Sequence, residues 1–297
     1  MYEFVKEEAG NKLELELYGL ESLIDRCLAE DVGPGDITTN SIVPPGVRTT
    51  GYLVAKESGV LAGLKVAEKV FTRLDPGAEF IARLSDGATL SFGAVIAEIK
   101  AQARAILTGE RLALNFLQRL SGIATCAARL SALAAEFGAV VVDTRKTTPG
   151  LRQLEKYAVR VGGARNHRFG LFDAVLIKDN HIKIAGSITA AVKAAKKFCP
   201  HTVKVEVEVE DLEGVREALA AGADIIMLDN MSVDEMRKAV SLVAGRVPLE
   251  ASGGVTEEKI RLIAATGVNL ISVGALTHSA KALDISLDIG EIKRRAN

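Results

Sequence analysis

Hydrophobic and polar positions follow two different patterns along this chain, and the pattern changes near Gln102. Before that point, residues 20–30 and 64–74 have the spacing of amphipathic helices. The runs that have the length and alternation of short strands are residues 51–56, 59–62, 79–84 and 95–99. This first part of the chain is therefore predicted to be an α+β region, a small sheet with one or two helices on it.

Beyond Gln102 a long helical pattern covers residues 106–137, with an interruption expected near Ser121 and Gly122. Alternating strands and helices follow. Strands are predicted at residues 140–143, 174–178, 203–209, 225–229, 247–251 and 270–273, and helices at 151–159, 188–198, 212–221, 233–244 and 257–266. Helix starts are marked by Ser187, Asp211, Ser232 with Glu235, and Thr256, and helix ends by Gly138, Gly222 and Gly267.

Strict alternation with short loops predicts a parallel sheet, either a closed or nearly closed barrel or an open doubly wound sheet. No Gly-x-Gly-x-x-Gly follows the first strand, which favours the barrel. Residues 282–289 alternate apolar and polar, so they predict a last strand that returns to the N-terminal sheet. We expect an α+β domain over residues 1–114, an α/β barrel over 115–280, and a returning segment over 281–297.

Composition limits the partners of the chain. Its 297 residues are 48% hydrophobic, and the net charge of −1 gives no overall basic field for nucleic acid or an anionic membrane. The three cysteines lack Cys-x-x-Cys spacing, which argues against a disulfide framework or a zinc site. Acidic residues near Met1 do not resemble a signal peptide, and residues 112–137 are broken by arginines. We therefore expect a cytoplasmic protein without a membrane span.

One stretch departs from this balance. Between Asp143 and Lys183 there are nine Lys or Arg against four Asp or Glu, a local charge of 9 − 4 = +5. Arg145 and Lys146 follow the first barrel strand and Lys178 ends the second. Because ligands of α/β proteins bind at the carboxyl ends of parallel strands, these cations predict an anionic ligand.

The later predicted strands carry or end on acidic, amide or small residues instead of cations. Glu206 and Glu208 belong to the third, Asp229 and Asn230 end the fourth, and small residues follow the last two: Ser252, Gly253, Gly254 and Gly274. The glycines predict either an ordinary turn or a phosphate site made of backbone N–H groups. An acid that points into a barrel must be paired or functional, and Glu208 lies closer to the strand end than Glu206. His167 and Arg168 fit a solvated loop or an anion site, and Lys178 fits a Schiff-base lysine, a structural lysine or an anion ligand.

Seven motifs then give the chain a resemblance to a known family. They are Asp-Thr-Arg-Lys-Thr-Thr-Pro-Gly-Leu-Arg, Gly-Gly-Ala-Arg-Asn-His-Arg, Leu-Ile-Lys-Asp-Asn-His-Ile, Val-Glu-Val-Glu-Val, Ile-Met-Leu-Asp-Asn-Met, Leu-Glu-Ala-Ser-Gly-Gly and Val-Gly-Ala-Leu-Thr-His-Ser. In this order they resemble nicotinate-nucleotide pyrophosphorylase (carboxylating), also called quinolinate phosphoribosyltransferase. The resemblance covers nearly the full chain, from Glu30 to Asp288, and leaves residues 1–18 unassigned.

The resemblance implies an enzyme of NAD biosynthesis, a pentosyltransferase. It would convert quinolinate and phosphoribosyl pyrophosphate, with Mg²⁺, to nicotinate mononucleotide, pyrophosphate and carbon dioxide. It also implies an N-terminal sandwich domain, an incomplete C-terminal barrel, and a homodimer or higher oligomer whose sites are shared between subunits.

The same resemblance implies roles for particular residues. The quinolinate carboxylates would be held by Arg145, His167, Arg168 and Lys178, with Lys146 between the two substrates and Arg111 entering from the partner subunit. Glu208 and Asp229 would face the ribose and Mg²⁺, directly or through water. The 5′-phosphate would be held by Ser252, Gly253, Gly254 and Gly274. Lys146, Lys178, Glu208 and Asp229 would be the catalytic residues.

Three other functions compete with this one. The nearest is a paralogous transferase of the same fold, of the type found beside molybdate transport genes, which acts on another substrate. A Schiff-base aldolase would use Lys178, and a non-catalytic anion-binding protein would bind phosphoribosyl pyrophosphate without turnover.

Overall fold

A computed structural model describes residues 19–290 of the chain. The described residues form two compact units. The parallel-sheet unit comprises Ala127–Arg152 and Gly163–Ser279, and the antiparallel-sheet unit comprises residues 19–126, Gln153–Gly162 and residues 280–290. The predicted domain boundaries remain predictions, and the unassigned residues 1–18 lie outside the described part.

The antiparallel-sheet unit is built on four strands. Its helices and strands are α1 (Leu20–Val32), α2 (Ile37–Ile42), β1 (Arg48–Ala55), β2 (Gly59–Val60), α3 (Leu64–Leu74), β3 (Glu79–Ala82), β4 (Thr89–Leu90), β5 (Val95–Gln102) and β12 (Ile285–Ile289). The main sheet has the order β12-β1-β5-β3, and β2 pairs with β4. The predicted return of the tail is confirmed, because β12 pairs antiparallel with β1 from Gly51 to Ala55.

The long helix α4 (Ala103–Ala135) runs without a break, so the interruption expected near Ser121 and Gly122 is wrong. Gly122 instead permits a close approach of two backbones. A Cβ there would lie 3.0 Å from the carbonyl carbon of Lys281 and closer still to its oxygen. Ser121 is buried, and its Oγ accepts a hydrogen bond from the Ala62 N–H at 3.0 Å. Both residues therefore serve packing and leave the helix intact.

The parallel-sheet unit alternates strands and helices as the sequence predicts. Its elements after α4 are β6 (Val140–Val142), α5 (Arg152–Val161), β7 (Val175–Ile177), α6 (Asp179–Ala185), α7 (Ile188–Phe198), β8 (Val205–Val209), α8 (Leu212–Ala221), β9 (Ile225–Asp229), α9 (Val233–Val243), β10 (Leu249–Ser252), α10 (Glu257–Ala264), β11 (Leu270–Ser272) and α11 (Ala275–His278). Helix α5 lies mostly in the other unit. The short helices α2, α6 and α11 have no counterpart in the sequence prediction, because each spans at most seven residues.

Helix caps match the sequence signals. Ser187 and Asp211 accept hydrogen bonds from backbone N–H groups three residues on, and Ser232 forms the predicted capping box with Glu235. Thr256 occupies the N-cap position without a side-chain cap bond. These short-range contacts fix where each helix begins, and therefore where each preceding strand must end.

The six parallel strands have the order β6-β11-β10-β9-β8-β7. Arg165 forms a parallel bridge with Val142 on β6. In a flat sheet β6 and β8 would lie about 19 Å apart, at roughly 4.8 Å per strand. His167, two residues after that bridge, nevertheless contacts Glu206 of β8 with 2.9 Å between Nε2 and Oε2. The sheet is therefore strongly curved, as an incomplete barrel requires, and the predicted α/β fold class is confirmed.

No helix among residues 19–290 is long and apolar enough to cross a membrane.

Candidate active site

A pocket of about 650 Å³ lies at the carboxyl ends of the parallel strands. All of its lining residues belong to the parallel-sheet unit. The predicted site residues among them are Arg145, Lys146, His167, Arg168, Lys178, Glu208, Asp229, Ser252, Gly253 and Gly254. The lining residues outside that prediction are Thr144, Leu176, Met227, Asn230, Glu250 and Ser272. The structure thus gathers the strand-end cations and carboxylates around one cavity.

Two arginines line the cationic side of the pocket. The Nε of Arg145 is buried and has no hydrogen-bond partner among the described residues. The guanidinium of Arg168 donates a hydrogen bond from Nη1 to the Ala174 carbonyl at 3.1 Å. Burial, and then repulsion by Arg145, lowers the pKa of the Arg168 guanidinium. The guanidinium still stays charged, because the ordinary pKa of arginine is far above neutral pH. An arginine pair with donor capacity to spare is suited to binding a carboxylate dianion.

His167 is held by the protein at both ring nitrogens. Its Nδ1 accepts the backbone N–H of Arg168 at 2.7 Å, and its Nε2 lies 2.9 Å from Glu206 Oε2. Buried Asp143 fixes the same loop, since its carboxylate accepts the N–H of His167 and the side-chain amide of Asn166, each at 2.8 Å. The solvated-loop interpretation is therefore wrong for His167, whose side chain is only 12% exposed.

Arg165 connects the loop before His167 to the sheet. The backbone N–H of Arg165 donates to the Val141 carbonyl at 2.9 Å, so it belongs to the sheet. That bond continues the pairing with β6 and sets the position at which the loop enters the pocket.

The carboxylates of β8 and β9 lie on the other side of the pocket. The Nζ of Lys178 contacts Glu208 Oε2 in an ion pair. Asp229 accepts a hydrogen bond from the side-chain amide of Asn230 at 3.0 Å. Lys178, which follows β7, is therefore paired with a carboxylate of the neighbouring strand β8.

The glycine turn after β10 is closely packed. Gly253 has φ +92° and Gly254 φ +55°, in the left-handed region that favours glycine. A Cβ on Gly253 would lie 2.5 Å from Asn230 Cγ, whereas a Cβ on Gly254 would meet nothing within 4 Å. Gly274 does not line the pocket, but a Cβ there would lie 3.1 Å from Lys146 Cδ. The turn thus leaves Gly254 open, whereas Gly253 packs against the side chain of Asn230.

Two buried acids were not among the predicted site residues. Glu206 and Glu250 are 4% and 1% exposed, and each has one carboxylate oxygen without a hydrogen-bond partner among the described residues. With His167 they form a group whose potential ligand atoms lie within 4.8 Å of one another. The sequence carried one signal for them, a single acid between apolar residues in Val-Glu-Val and Leu-Glu-Ala.

Arg111 lies on α4 in the antiparallel-sheet unit and is exposed. Its predicted entry into a partner's site stays a prediction.

Comparison with known proteins places this pocket in a family. A family model described as the quinolinate phosphoribosyl transferase C-terminal domain matches residues 123–288, and the corresponding N-terminal domain model matches residues 36–121. The chain belongs to the quinolinate phosphoribosyl transferase family. The C-terminal model spans every residue that lines the pocket.

Named members of the family are similar over most of their length. The chain is 48% identical over 271 residues to a probable nicotinate-nucleotide pyrophosphorylase [carboxylating] of Bacillus subtilis, covering 91% of this chain and 93% of that protein. It is 43% identical to the chloroplastic enzyme of that name from Arabidopsis thaliana, covering 92% and 83%. A solved nicotinate-nucleotide pyrophosphorylase from Francisella tularensis superposes with a TM-score of 0.90 at 43% identity, covering 95% and 100%.

Proposed function

We propose that this chain is a quinolinate phosphoribosyltransferase of NAD biosynthesis. It would convert quinolinate and phosphoribosyl pyrophosphate to nicotinate mononucleotide, pyrophosphate and carbon dioxide. The observation that carries the proposal is the single pocket that combines strand-end cations, carboxylates and a glycine turn. Relatives at 41–48% identity that bear the carboxylating name favour this activity over the paralogous transferase.

The cationic side of the pocket suits quinolinate. A dianion enters a partly buried site only against fixed cations, and Arg145, Arg168 and Lys178 supply them. Lys146 is exposed at the rim and would lie between the two substrates. His167 would act here through its protein contacts, because both of its nitrogens are engaged.

The carboxylate side suits phosphoribosyl pyrophosphate. Glu208 and Asp229 offer the hard oxygen donors that Mg²⁺ prefers, and Mg²⁺ needs only one or two protein carboxylates beside substrate phosphates. Bound there, the ion would neutralise pyrophosphate charge. The 5′-phosphate would bind the backbone of Ser252, Gly253 and Gly254, with Gly274 nearby.

Catalysis would consist chiefly of positioning and electrostatic stabilisation. The pyridine nitrogen of quinolinate is itself the nucleophile at the ribose, so no general base is required. As pyrophosphate leaves, Glu208 and Asp229 would stabilise the positive charge that develops on the sugar. N-ribosylation then makes the ring an electron sink for decarboxylation at the adjacent carbon.

Assembly and location complete the proposal. A homodimer would place Arg111 of one subunit at the pocket of the other. A cytoplasmic location agrees with three cysteines that lack Cys-x-x-Cys spacing.

One assay tests the activity. The protein is incubated with quinolinate, phosphoribosyl pyrophosphate and Mg²⁺, and nicotinate mononucleotide and carbon dioxide are measured. We expect both products in equal amounts and their loss when EDTA removes the metal. Absence of nicotinate mononucleotide with all components present would refute the function, and activity retained in EDTA would refute the metal requirement alone.

A further inference from the structure

Three side chains form a buried cluster beside the cations of the pocket. His167 Nε2 lies 2.9 Å from Glu206 Oε2 and 3.7 Å from Glu250 Oε1. Glu250 is 1% exposed and yet contributes to the pocket lining. Two acids and one histidine in so small a volume need either a cation or a proton to balance them.

The histidine geometry decides between a metal ion and a proton. Because the backbone N–H of Arg168 donates to His167 Nδ1, that nitrogen carries a lone pair and no hydrogen. A neutral imidazole then carries its hydrogen on Nε2 and donates it to Glu206. Nε2 therefore has no lone pair free for a metal ion, and the cluster is better explained by a proton.

That proton belongs on Glu250. Burial and then repulsion by Glu206 raise the pKa of Glu250 to about 8, while His167 and a hydrogen bond from Ser272 oppose the shift. The groups that face Glu250 are Glu206 from β8 and His167 from the loop before β7. The neighbouring strands β9 and β11 place neutral Met227 and Leu270 opposite it in register.

We propose that Glu250 is a neutral carboxylic acid in the active enzyme and a positioning residue for the quinolinate site. This inference rests on the proposed function. By keeping one proton, Glu250 adds no negative charge to the buried cluster. The arginines of the pocket then remain available to the substrate dianion, and His167 keeps the tautomer that fixes the Arg168 backbone.

A pH dependence follows from this arrangement. When Glu250 loses its proton above about pH 8, a negative charge appears on it beside the pocket and opposes the quinolinate carboxylates. Binding of the dianion must in turn favour the protonated form, because the two equilibria are linked. Quinolinate should therefore bind more weakly as pH rises through this range and should take up a proton when it binds there.

The test compares the wild type with Glu250→Gln, which has the shape of the neutral acid and cannot ionise. Glu210→Gln is the matched control, since Glu210 follows β8 and is exposed. Quinolinate affinity is measured by calorimetry from pH 6.5 to 9.5 in buffers of different ionisation enthalpy. For the wild type and the control we expect affinity to fall by up to about tenfold per pH unit above pH 8, with proton uptake. For Glu250→Gln we expect near wild-type affinity at pH 7, a flat profile and no proton uptake.

An infrared measurement makes the test independent of the substrate. The wild type without ligand should show a carboxylic-acid carbonyl band that disappears between pH 7 and 9.5, and this band should be missing in Glu250→Gln.

A wild type without the band overturns the inference, whether or not quinolinate binds. A folded Glu250→Gln that loses quinolinate affinity at pH 7, or that keeps the wild-type pH profile, also overturns it. Stoichiometric binding of Zn²⁺ by the wild type, lost in Glu250→Gln, would also overturn the inference, because the cluster would then hold a metal ion in place of a proton. Absence of quinolinate binding at every pH, with the band present, would refute the proposed function alone.

Discussion

Substitution of Gly253 by alanine tests how closely the glycine turn is fitted to its neighbours. Gly253 has φ +92°, and a Cβ there would lie 2.5 Å from Asn230 Cγ. Asn230 cannot move freely, because its N–H donates to the Ser252 carbonyl at 2.9 Å and its side chain donates to Asp229 at 3.0 Å. The new methyl group must therefore displace either the turn or the amide that orients the Asp229 carboxylate.

The magnitude follows from two separate costs. A residue other than glycine in the left-handed region costs roughly 1–2 kcal/mol. Overpacking against Asn230 adds about 1–3 kcal/mol. Gly254→Ala is the control, because its φ of +55° carries the first cost while its Cβ would meet nothing within 4 Å. The difference between the two variants should thus be about 1–3 kcal/mol, or roughly fivefold to 150-fold in an equilibrium constant.

Two measurements locate this difference. If the turn keeps its conformation, the difference between the variants appears in the free energy of unfolding, which urea denaturation measures. If the turn or Asn230 moves, the difference appears in the affinity for phosphoribosyl pyrophosphate, which calorimetric titration with Mg²⁺ present measures. We add the loss in free energy of unfolding to the loss in free energy of phosphoribosyl pyrophosphate binding. We expect this sum to be larger for Gly253→Ala than for Gly254→Ala. Equal losses in both measurements would refute the close-packing argument, and equal phosphoribosyl pyrophosphate affinity in wild type and both variants would refute the phosphate role of the turn.

Two further predictions concern the cations. Lys178→Met should weaken quinolinate binding about tenfold or more, since a hydrogen bond to a charged group contributes roughly 1.5–3 kcal/mol. The control is Lys183→Met, which removes an exposed lysine paired with Asp179. Equal quinolinate titration curves for the two variants would contradict the role of Lys178 in binding quinolinate. Arg111→Ala and Glu208→Gln proteins, each inactive alone, should recover roughly a quarter of wild-type activity after mixing and subunit exchange if a symmetric dimer shares its sites; no recovery would remove Arg111 from the site.

The sequence predicted the parallel-sheet unit well because its signals are local. Strand β9 is mostly apolar and β8 alternates valine with glutamate, and each is followed by a helix-capping residue. The caps at Ser187, Asp211 and Ser232 occur in the structure as expected. Since parallel strands deliver their carboxyl ends to one edge, naming the residues at those ends was enough to name most of the pocket lining.

Features that depend on tertiary contact were not predictable in this way. Gly122 resembled a helix break, and only its approach to Lys281 shows why the helix continues through it. The contacts of His167 with Glu206 and Glu250 depend on the curvature of the sheet, which brings together residues that are up to 83 positions apart (250 − 167). Periodicity along the chain carries no information about that curvature.

The strand order also determines when the pocket can exist during synthesis. The first parallel strand, β6, pairs with the last, β11, although Val140 and Leu270 are 130 positions apart (270 − 140). The arginine that follows β6 therefore cannot face its completed surroundings until nearly the whole chain has left the ribosome. Such long-range pairing is slow, because the entropy of closing a large loop is lost before the contacts form. A chain terminated before β11 would contain most of the ligand-binding residues and still lack the strand that joins β6 to the rest of the sheet.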